Sequence, residues 1–191
     1  MAKQYPFIDE KQRAFIERQH VFFVASAAPG SRVNLSPKGL DALRVLGPNR
    51  VIYLDQTGSG NETAAHMLAD GRLTIMLCAF DGPPNILRLY GRGRVLPRGG
   101  AEYAELLATQ FGGVEPIGAR QMVEVAIDLV QTSCGYGVPH YDYVAERPSL
   151  TNWAETKGEA GLEEYRREKN TYSIDGLPTG FVEADAEAPV S

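Results

Sequence analysis

The chain has 191 residues, which is enough for one domain of ordinary size, or for one domain with an appended tail. Hydrophobic residues make up 43% of it and charged residues 23%, the balance of a globular protein that buries a real core. The net charge of −5 and the scattered positions of the 19 Lys and Arg residues provide no basic face, which excludes nucleic acid and an acidic membrane surface as expected partners.

Cysteine usage and the N-terminal residues indicate the compartment. The two cysteines, Cys78 and Cys134, are far apart and form no C-x-x-C pair, so a secreted disulfide scaffold is not expected. The first residues carry no apolar signal core, and no apolar run approaches the ~20 residues of a membrane helix. We therefore expect a cytoplasmic protein with no membrane partner.

Apolar residues recur with strand or helix spacing along most of the chain. In chain order the predicted elements are a helix over 8–19, strands over 21–26, 32–36 and 51–54, a helix over 62–69, strands over 73–80 and 86–96, a helix over 101–111, a strand over 121–130 and a helix over 149–170. Because proline cannot donate to a sheet ladder, the second strand should end or bulge at Pro37. The last helix should break at Gly158 and Gly161.

Short turns join most neighbouring strands, and short connections imply antiparallel pairing. About six strands with a few helices predict an α+β fold, mainly β, in which an antiparallel barrel or sheet carries flanking helices. Residues 1–180 would form this single domain, including a helical extension at its C-terminal end. The acidic, Ala- and Pro-rich residues 181–191 would form a mobile tail.

The most informative segment, residues 53–63, is a strand that leads through a glycine-rich turn into a helix. Gly58 and Gly60 allow positive φ and a close approach of the backbone. Free N–H groups at the start of the helix, together with its dipole, favour an anion, usually a phosphate. The alternative is an ordinary helix cap in which Asn61 or Ser59 is the capping residue. Position alone leaves both interpretations open.

A dinucleotide-binding fold is a rival interpretation of this turn. Gly58 and Gly60 match two of the required glycines, and Asp81 follows at roughly the expected distance. Thr63, however, stands where the third glycine belongs, the helix has only about two turns, and no second βαβ unit follows. A dinucleotide fold is therefore a poor fit.

Residues 32–39 are a second candidate segment. Ser36, Lys38 and exposed backbone groups at a broken strand end could hold a phosphate or the polar edge of a ring. The alternative is a solvated strand end with a surface lysine. Taken alone, the segment does not decide between them.

Residues 131–140 are polar, glycine-rich and aromatic, and they follow a strong strand. A thiol nucleophile would pair Cys134 with His140, but nothing in the sequence brings the two together or activates the thiol. Tyr136 is better explained as a cleft wall that stacks on a flat ring. The histidines show no metal-ligand spacing, so neither a metal site nor a catalytic side chain is expected.

The order of these motifs resembles the pyridoxamine 5′-phosphate oxidase-like flavin-binding split barrels, and within them the pyridoxamine 5′-phosphate oxidase-related FMN-binding proteins. The runs that carry the resemblance are 32–39, 58–66, 132–139 and 173–178, and the likeness spans residues 8 to 179. It implies a six-stranded antiparallel split β-barrel with flanking helices. It also implies a homodimer with FMN at the subunit interface.

The resemblance further implies which residues contact the cofactor. These are Asn34, Ser36, Pro37 and Lys38 along the ring edge and towards the phosphate, Thr57, Gly58, Gly60, Asn61 and Thr63 around the phosphate and ribityl chain, and Cys134 and Tyr136 over the ring, from the same or the partner subunit.

One position departs from the family pattern. Well-studied members carry an adjacent Arg-Lys pair at the start of the short helix, where this chain has Glu62 and Thr63. A carboxylate beside a phosphate is repulsive unless it turns away or pairs with a cation such as Lys38 or Arg72. Backbone N–H groups with Asn61, Thr63 and Lys38 would then hold the phosphate; otherwise the cofactor is a deazaflavin, or absent.

The function implied is a flavin-dependent oxidoreductase that acts on an unknown small molecule, with NAD(P)H as a candidate electron donor. The flavin would carry the hydride, and the protein would bind and orient it. The sequence shows no residues for the substrate phosphate of vitamin B6, so that activity is not expected. The alternative is a non-catalytic module, a carrier or sensor of a flavin or deazaflavin.

Overall fold

The computed structural model describes residues 2–181, which form eight strands and four helices. The strands are Lys3–Tyr5 (β1), Phe22–Ser26 (β2), Asn34–Lys38 (β3), Leu43–Gly47 (β4), Arg50–Gln56 (β5), Arg72–Cys78 (β6), Ile86–Pro97 (β7) and Ala119–Ser133 (β8). The helices are Glu10–Glu17 (α1), Glu62–Ala69 (α2), Ala101–Gln110 (α3) and Ser149–Lys169 (α4). Apart from Phe181, the predicted tail lies outside the described residues. Within these residues, no helix combines the length and apolar character that a membrane span needs.

The strands form one antiparallel sheet in the order β3-β2-β6-β7-β8-β5-β4, and β1 adds to β8. The long strand β8 is central, since it pairs with β7, β5 and β1. The end strands β3 and β4 do not pair with each other, so the sheet stays open, as in a split barrel. The predicted α+β split-barrel class is confirmed. The six predicted strands correspond to β2, β3 and β5 to β8, and β1 and β4 are additional.

The sheet buries both of its faces around β5, whose residues 51–54 are all apolar. Val51 and Tyr53 belong to the larger core cluster, which also holds residues of β2, β6, β7 and β8. Ile52 and Leu54 belong to a second cluster, which α3 covers. Because successive side chains of a strand point to opposite faces, this uninterrupted apolar run follows from burial on both sides.

Pro37 does not end or bulge its strand, and that prediction is wrong. β3 continues to Lys38 in regular register with β2, with Pro37 opposite Phe23. The reason is that β3 is an edge strand, which needs partners along only one side and therefore tolerates a residue without an N–H. The uninterrupted strand brings Lys38 to the end of β5, beside the candidate site.

α4 changes direction at Gly158, where φ is 64° and ψ is 169°. This conformation is essentially restricted to glycine, and the break predicted there is confirmed. The break predicted at Gly161 is wrong, because the helix continues through that residue. After the bend, the second half of α4 runs towards the turn between β5 and α2.

Candidate functional site

A cavity of about 860 Å³ lies beside the end of β5. Its walls are β3, the turn between β5 and α2, the segment that follows α4, and Arg120 of β8. Eight of the residues predicted to contact a cofactor line this cavity: Asn34, Ser36, Pro37, Lys38, Gly58, Gly60, Asn61 and Thr63. The fold therefore brings together two segments that are separate in the sequence.

The floor of the cavity is built around one buried carboxylate, Asp55, the penultimate residue of β5. Lys38 Nζ lies 2.5 Å from Asp55 Oδ1, and Arg120 Nη2 lies 2.6 Å from Asp55 Oδ2. Gln121 Nε2 donates a third hydrogen bond, of 3.0 Å, to Asp55 Oδ2. Two cations thus surround a single carboxylate, which leaves the floor with a net positive charge.

Asp55 is ionised in this setting. Burial by itself would raise the pKa of its carboxyl, since a charge is poorly solvated in the interior. The opposing charges of Arg120 and Lys38, and the hydrogen bonds that both donate, outweigh burial and hold the pKa well below its usual range. Asp55 therefore anchors the two cations rather than serving as an acid or base at neutral pH.

Arg120 and Asn170 fix the turn between β5 and α2 from behind. Arg120 Nη1 donates to the carbonyl of Gly60 at 2.9 Å and to Asn170 Oδ1 at 2.8 Å. Asn170 Nδ2 in turn donates to the carbonyl of Gly58 at 3.0 Å. The carbonyls of Gly58 and Gly60 are therefore held by Asn170 and Arg120. The N–H groups on the opposite edges of the same two peptides donate no hydrogen bond to the described part of the chain.

The turn and the first residues of α2 present a run of six unused backbone donors. No backbone N–H group of residues 58–63 donates a hydrogen bond to an acceptor within residues 2–181. The first N–H groups of a helix have no partner in the helix itself, and they carry the positive end of its dipole. Such consecutive donors form a concave binding place for an anion.

The cap interpretation of this turn is wrong, because no side chain caps α2. Asn61 occupies the cap position, but its Oδ1 accepts a hydrogen bond of 2.8 Å from Gln121 Nε2 instead. Gly58 and Gly60 do not use the positive φ that their lack of a side chain allows. A Cβ at Gly58 would meet nothing within 4 Å, so the absent side chain leaves open space beside the backbone.

Three residues that line the cavity each hold a buried polar atom without a hydrogen-bond partner in the described part of the chain: Asn61 Nδ2, Arg120 Nε and Gln56 Oε1. Asn61 is 2% exposed and Arg120 is 5% exposed. A buried polar group left without a partner costs about 1–3 kcal/mol, so such groups usually mark a place where a ligand completes the set. Two of the three atoms are donors, which again favours an anionic or carbonyl-bearing ligand.

The opposite wall is the strand β3, which is linked to α2 by a short chain of hydrogen bonds. Asn34 Nδ2 donates to Thr63 Oγ1 at 3.1 Å, and Ser36 Oγ donates to Asn34 Oδ1 at 3.2 Å. These contacts hold the predicted residues of the two segments in one connected wall.

Three predicted residues lie elsewhere. Thr57 is buried behind the turn, where its hydroxyl donates to the carbonyl of Gly118 at 2.9 Å and accepts from Arg166 Nε at 2.8 Å. Cys134 and Tyr136 follow β8, are exposed, and do not line the cavity in one copy of the chain. Their contact with a cofactor would require a second copy, and it stays a prediction.

Glu62 does not pair with either of the two cations that could have balanced it. Lys38 is bound to Asp55, and Arg72 Nε lies 2.6 Å from Asp70 Oδ1. The Glu62 carboxylate instead accepts the backbone N–H of Ile174, with both oxygens at 3.1 Å from that nitrogen. It therefore fastens the C-terminal segment to the rim of the cavity.

Sequence patterns did not indicate four residues that build this site: Asp55, Gln121, Arg120 and Asn170. For the first three a signal existed, because each is a polar residue at the end of a long apolar strand, and buried charges must be paired. The register of the sheet places Asp55 opposite Gln121. Asn170 follows a polar helix and carries no such signal.

Comparison with known proteins supports the family assignment. A family model described as pyridoxamine 5′-phosphate oxidase matches residues 8–134. The chain is 38% identical over 190 residues to a protein of Aspergillus flavus named pyridoxamine 5′-phosphate oxidase family protein ustO, which covers 91% of this chain and 76% of that protein.

Solved structures show the same fold at low sequence identity. HupZ of Group A Streptococcus matches with a TM-score of 0.52 and 17% identity, over 64% of this chain and 91% of that chain. A protein of Clostridium acetobutylicum related to general stress protein 26, titled as pyridoxinephosphate oxidase family, matches with a TM-score of 0.50 and 12% identity, over 65% of this chain and 86% of that chain. These two likenesses concern the fold alone.

Proposed function

Because the chain belongs to the pyridoxamine 5′-phosphate oxidase family, we propose that it binds flavin mononucleotide in the cavity between β3, the β5–α2 turn and the segment after α4. The observation that carries this proposal is the run of six unused backbone N–H groups at residues 58–63. A phosphate is the ligand that such a run at a helix N-terminus suits best. The cation pair of Lys38 and Arg120 adds favourable charge.

The residues present fit the rest of a flavin nucleotide. A volume of about 860 Å³ lies within the usual range of small-molecule sites. The cavity-lining residues Asn61, Arg120 and Gln56 hold unpartnered polar atoms that would suit a ligand with both acceptors and an N–H group, as a flavin ring has. Asn34, Ser36 and Pro37 would hold the ring edge.

We further propose that the protein is an oxidoreductase and a homodimer. A bound flavin supplies hydride transfer with a small-molecule substrate, for which NAD(P)H is a candidate electron donor. The side chains of this chain bind and orient the cofactor, and the segment after α4 shields one side of it from water. In the dimer, Cys134 and Tyr136 of a second copy would complete the cover over the ring.

A flavin carrier or sensor is the second candidate function. It is favoured by the contacts that hold the two carboxylates of the cavity wall. Asp55 is held by Lys38, Arg120 and Gln121, and Glu62 is held by the N–H of Ile174. Both carboxylates are thus engaged in structural contacts, so the chemistry would depend on the flavin itself.

The first experiment is the visible spectrum of the purified protein, with mass spectrometry of any released ligand. We expect flavin absorption bands, or their appearance when FMN is added to colourless protein. Bleaching by NAD(P)H and recovery in air would support the oxidoreductase, whereas colour without turnover would support the carrier. Protein that stays colourless and takes up no FMN would overturn both.

Calorimetry on a matched pair of variants tests the proposed site. Lys38→Met removes a cation from the floor, and we expect FMN affinity to fall about tenfold, as for the loss of one charge-assisted contact. Lys11→Met, on the exposed face of α1, is the control and should bind FMN as the wild type does. Equal affinities of the two variants would place the flavin elsewhere.

A further inference from the structure

The C-terminal helix contributes to the site although it lies beyond the part of the chain that the family model matches, residues 8–134. Two side chains at the end of α4 are buried: Arg166 is 3% exposed and Asn170, the residue just after the helix, is 0% exposed. Both point towards the turn between β5 and α2 and away from solvent. Burial of a guanidinium is costly unless its donors are used, so these contacts are specific.

Each of these side chains holds one part of the turn. Asn170 Nδ2 donates to the carbonyl of Gly58, while its Oδ1 accepts from Arg120. Arg166 Nε donates to Thr57 Oγ1 at 2.8 Å, and Arg166 Nη2 donates to the carbonyl of Ala119 at 3.1 Å. The turn is thereby tied to α4 at two consecutive residues.

The geometry of the peptide group determines where the free N–H groups point once these hydrogen bonds hold the carbonyls. In a planar trans peptide the C=O and the following N–H point in opposite directions. When Asn170 holds the carbonyl of Gly58 towards α4, the N–H of Ser59 must point the other way, towards the cavity. Arg120 does the same for the N–H of Asn61 through the carbonyl of Gly60. A peptide group next to a glycine changes its orientation easily. Without these hydrogen bonds the N–H groups of the turn would not stay aligned.

We propose that Asn170 and Arg166 are positioning residues for the anion site, through which the C-terminal helix orients the backbone donors of the turn. The ligand's identity as FMN rests on the function proposed above, whereas the anion site itself does not. Fixed backbone donors, together with the nearby cations Lys38 and Arg120, carry the recognition of the phosphate.

Comparing FMN with riboflavin separates this role from mere support of the fold, because riboflavin lacks the phosphate. Asn170→Leu keeps the branching at Cγ and removes both hydrogen bonds, and Thr57→Val keeps the shape and removes the hydroxyl that accepts from Arg166 and donates to the carbonyl of Gly118. For each variant we expect FMN affinity to fall five- to tenfold, the loss of about one hydrogen bond, and riboflavin affinity to stay within about twofold. Asn152→Leu, an exposed asparagine on the same helix, is the control and should change neither affinity.

Inorganic phosphate is the probe that does not depend on flavin binding. Phosphate should raise the midpoint of thermal unfolding of the wild type and of Asn152→Leu, and raise it less for Asn170→Leu and Thr57→Val. This result without any FMN binding would support the anion site and overturn the flavin proposal. An equal fall of FMN and riboflavin affinity, or equal stabilisation of all four proteins by phosphate, or none, would overturn the role of Asn170 and Arg166.

Discussion

At the scale of single residues, one buried carboxylate organises the charges of the site. Asp55 holds Lys38 and Arg120 in place, and these come from strands that are 17 and 65 positions away in the chain. The sequence indicated Lys38 through its motif, but the ion pairs could not be predicted, because they depend on which strands become neighbours in the sheet. Residues within the local turn, such as Gly58 and Asn61, could be predicted from adjacent positions.

Replacing Asp55 by Asn keeps the shape and leaves the buried Arg120 and the partly buried Lys38 without their counter-charge. We expect Asp55→Asn to lower the free energy of unfolding by about 3 kcal/mol, as for other buried ion pairs that lose one partner. Glu163→Gln, which breaks the exposed pair with Arg167, is the control and should change stability by at most ~1 kcal/mol. Urea unfolding of the three proteins measures this, and equal stabilities would contradict the account.

The same carboxyl predicts how stability depends on pH. Its pKa in the folded state is lowered, so the unfolded state takes up the proton first as the solution becomes acid. The contribution of Asp55 is complete at neutral pH and decreases as the pH falls below the unfolded value of about 4. The stability of Asp55→Asn should therefore fall less steeply than that of the wild type between about pH 5 and pH 2, as measured by urea unfolding. Parallel curves would contradict this.

Glu62 places a negative charge beside the anion site. Glu62→Gln retains an oxygen that can accept the N–H of Ile174 but removes the charge. We expect FMN affinity to rise about threefold to tenfold and riboflavin affinity to stay nearly constant, because repulsion acts on the phosphate only. Glu163→Gln serves again as the control in calorimetry. A fall of FMN affinity in Glu62→Gln would mean that the carboxylate itself supports binding.

At the scale of elements, the pairing of β7 and β8 depends on one glycine. A Cβ at Gly91 would lie 2.0 Å from the carbonyl oxygen of Ala126, at the point where the register of the two strands shifts. Backbone atoms in the centre of a sheet can move only at a large cost in free energy. Gly91→Ala should therefore lower the free energy of unfolding by about 2 kcal/mol or more. Gly47→Ala meets nothing within 4 Å and is the control. Equal denaturant midpoints of the two variants would show that the strands can shift to accommodate a methyl group.

The two glycines of α4 should respond in opposite directions. Gly158→Ala forces a residue with a side chain into a conformation essentially reserved for glycine, and should cost about 1–3 kcal/mol. Gly161→Ala lies within regular helix and should stabilise the protein by roughly 0.5–1 kcal/mol. Thermal unfolding of both variants measures the contrast. Destabilisation by Gly161→Ala of the size seen for Gly158→Ala would contradict the observed helix.

Most elements could be predicted because their patterns are local. Helix-forming composition predicted α2, and the pattern of apolar residues predicted α3 and the strands β5 to β8 to within a few residues. Pro37 was misjudged because its effect depends on whether the strand lies at the edge of the sheet, and sheet order is a tertiary property. The short strands β1 and β4 were missed for the same reason, since each exists only through its partner.

At the scale of the whole molecule, the split barrel supplies the sheet and the C-terminal helix completes the turn that faces the cavity. The match of the family model ends at residue 134, and Arg166 and Asn170 lie beyond it. Fold and family could therefore be inferred from ordered motifs, whereas the role of α4 emerges only when distant residues are brought together. The proposed dimer would add Cys134 and Tyr136 from a second copy.

In the proposed site, the backbone N–H groups of residues 58–63 hold the phosphate of a flavin nucleotide. Amide hydrogen exchange, followed by NMR with FMN and with riboflavin, observes these groups directly. FMN should slow the exchange of the amides in residues 58–63 strongly, and riboflavin at equal saturation should leave them nearly unchanged. Equal protection by both ligands, or protection by FMN confined to other parts of the chain, would contradict it.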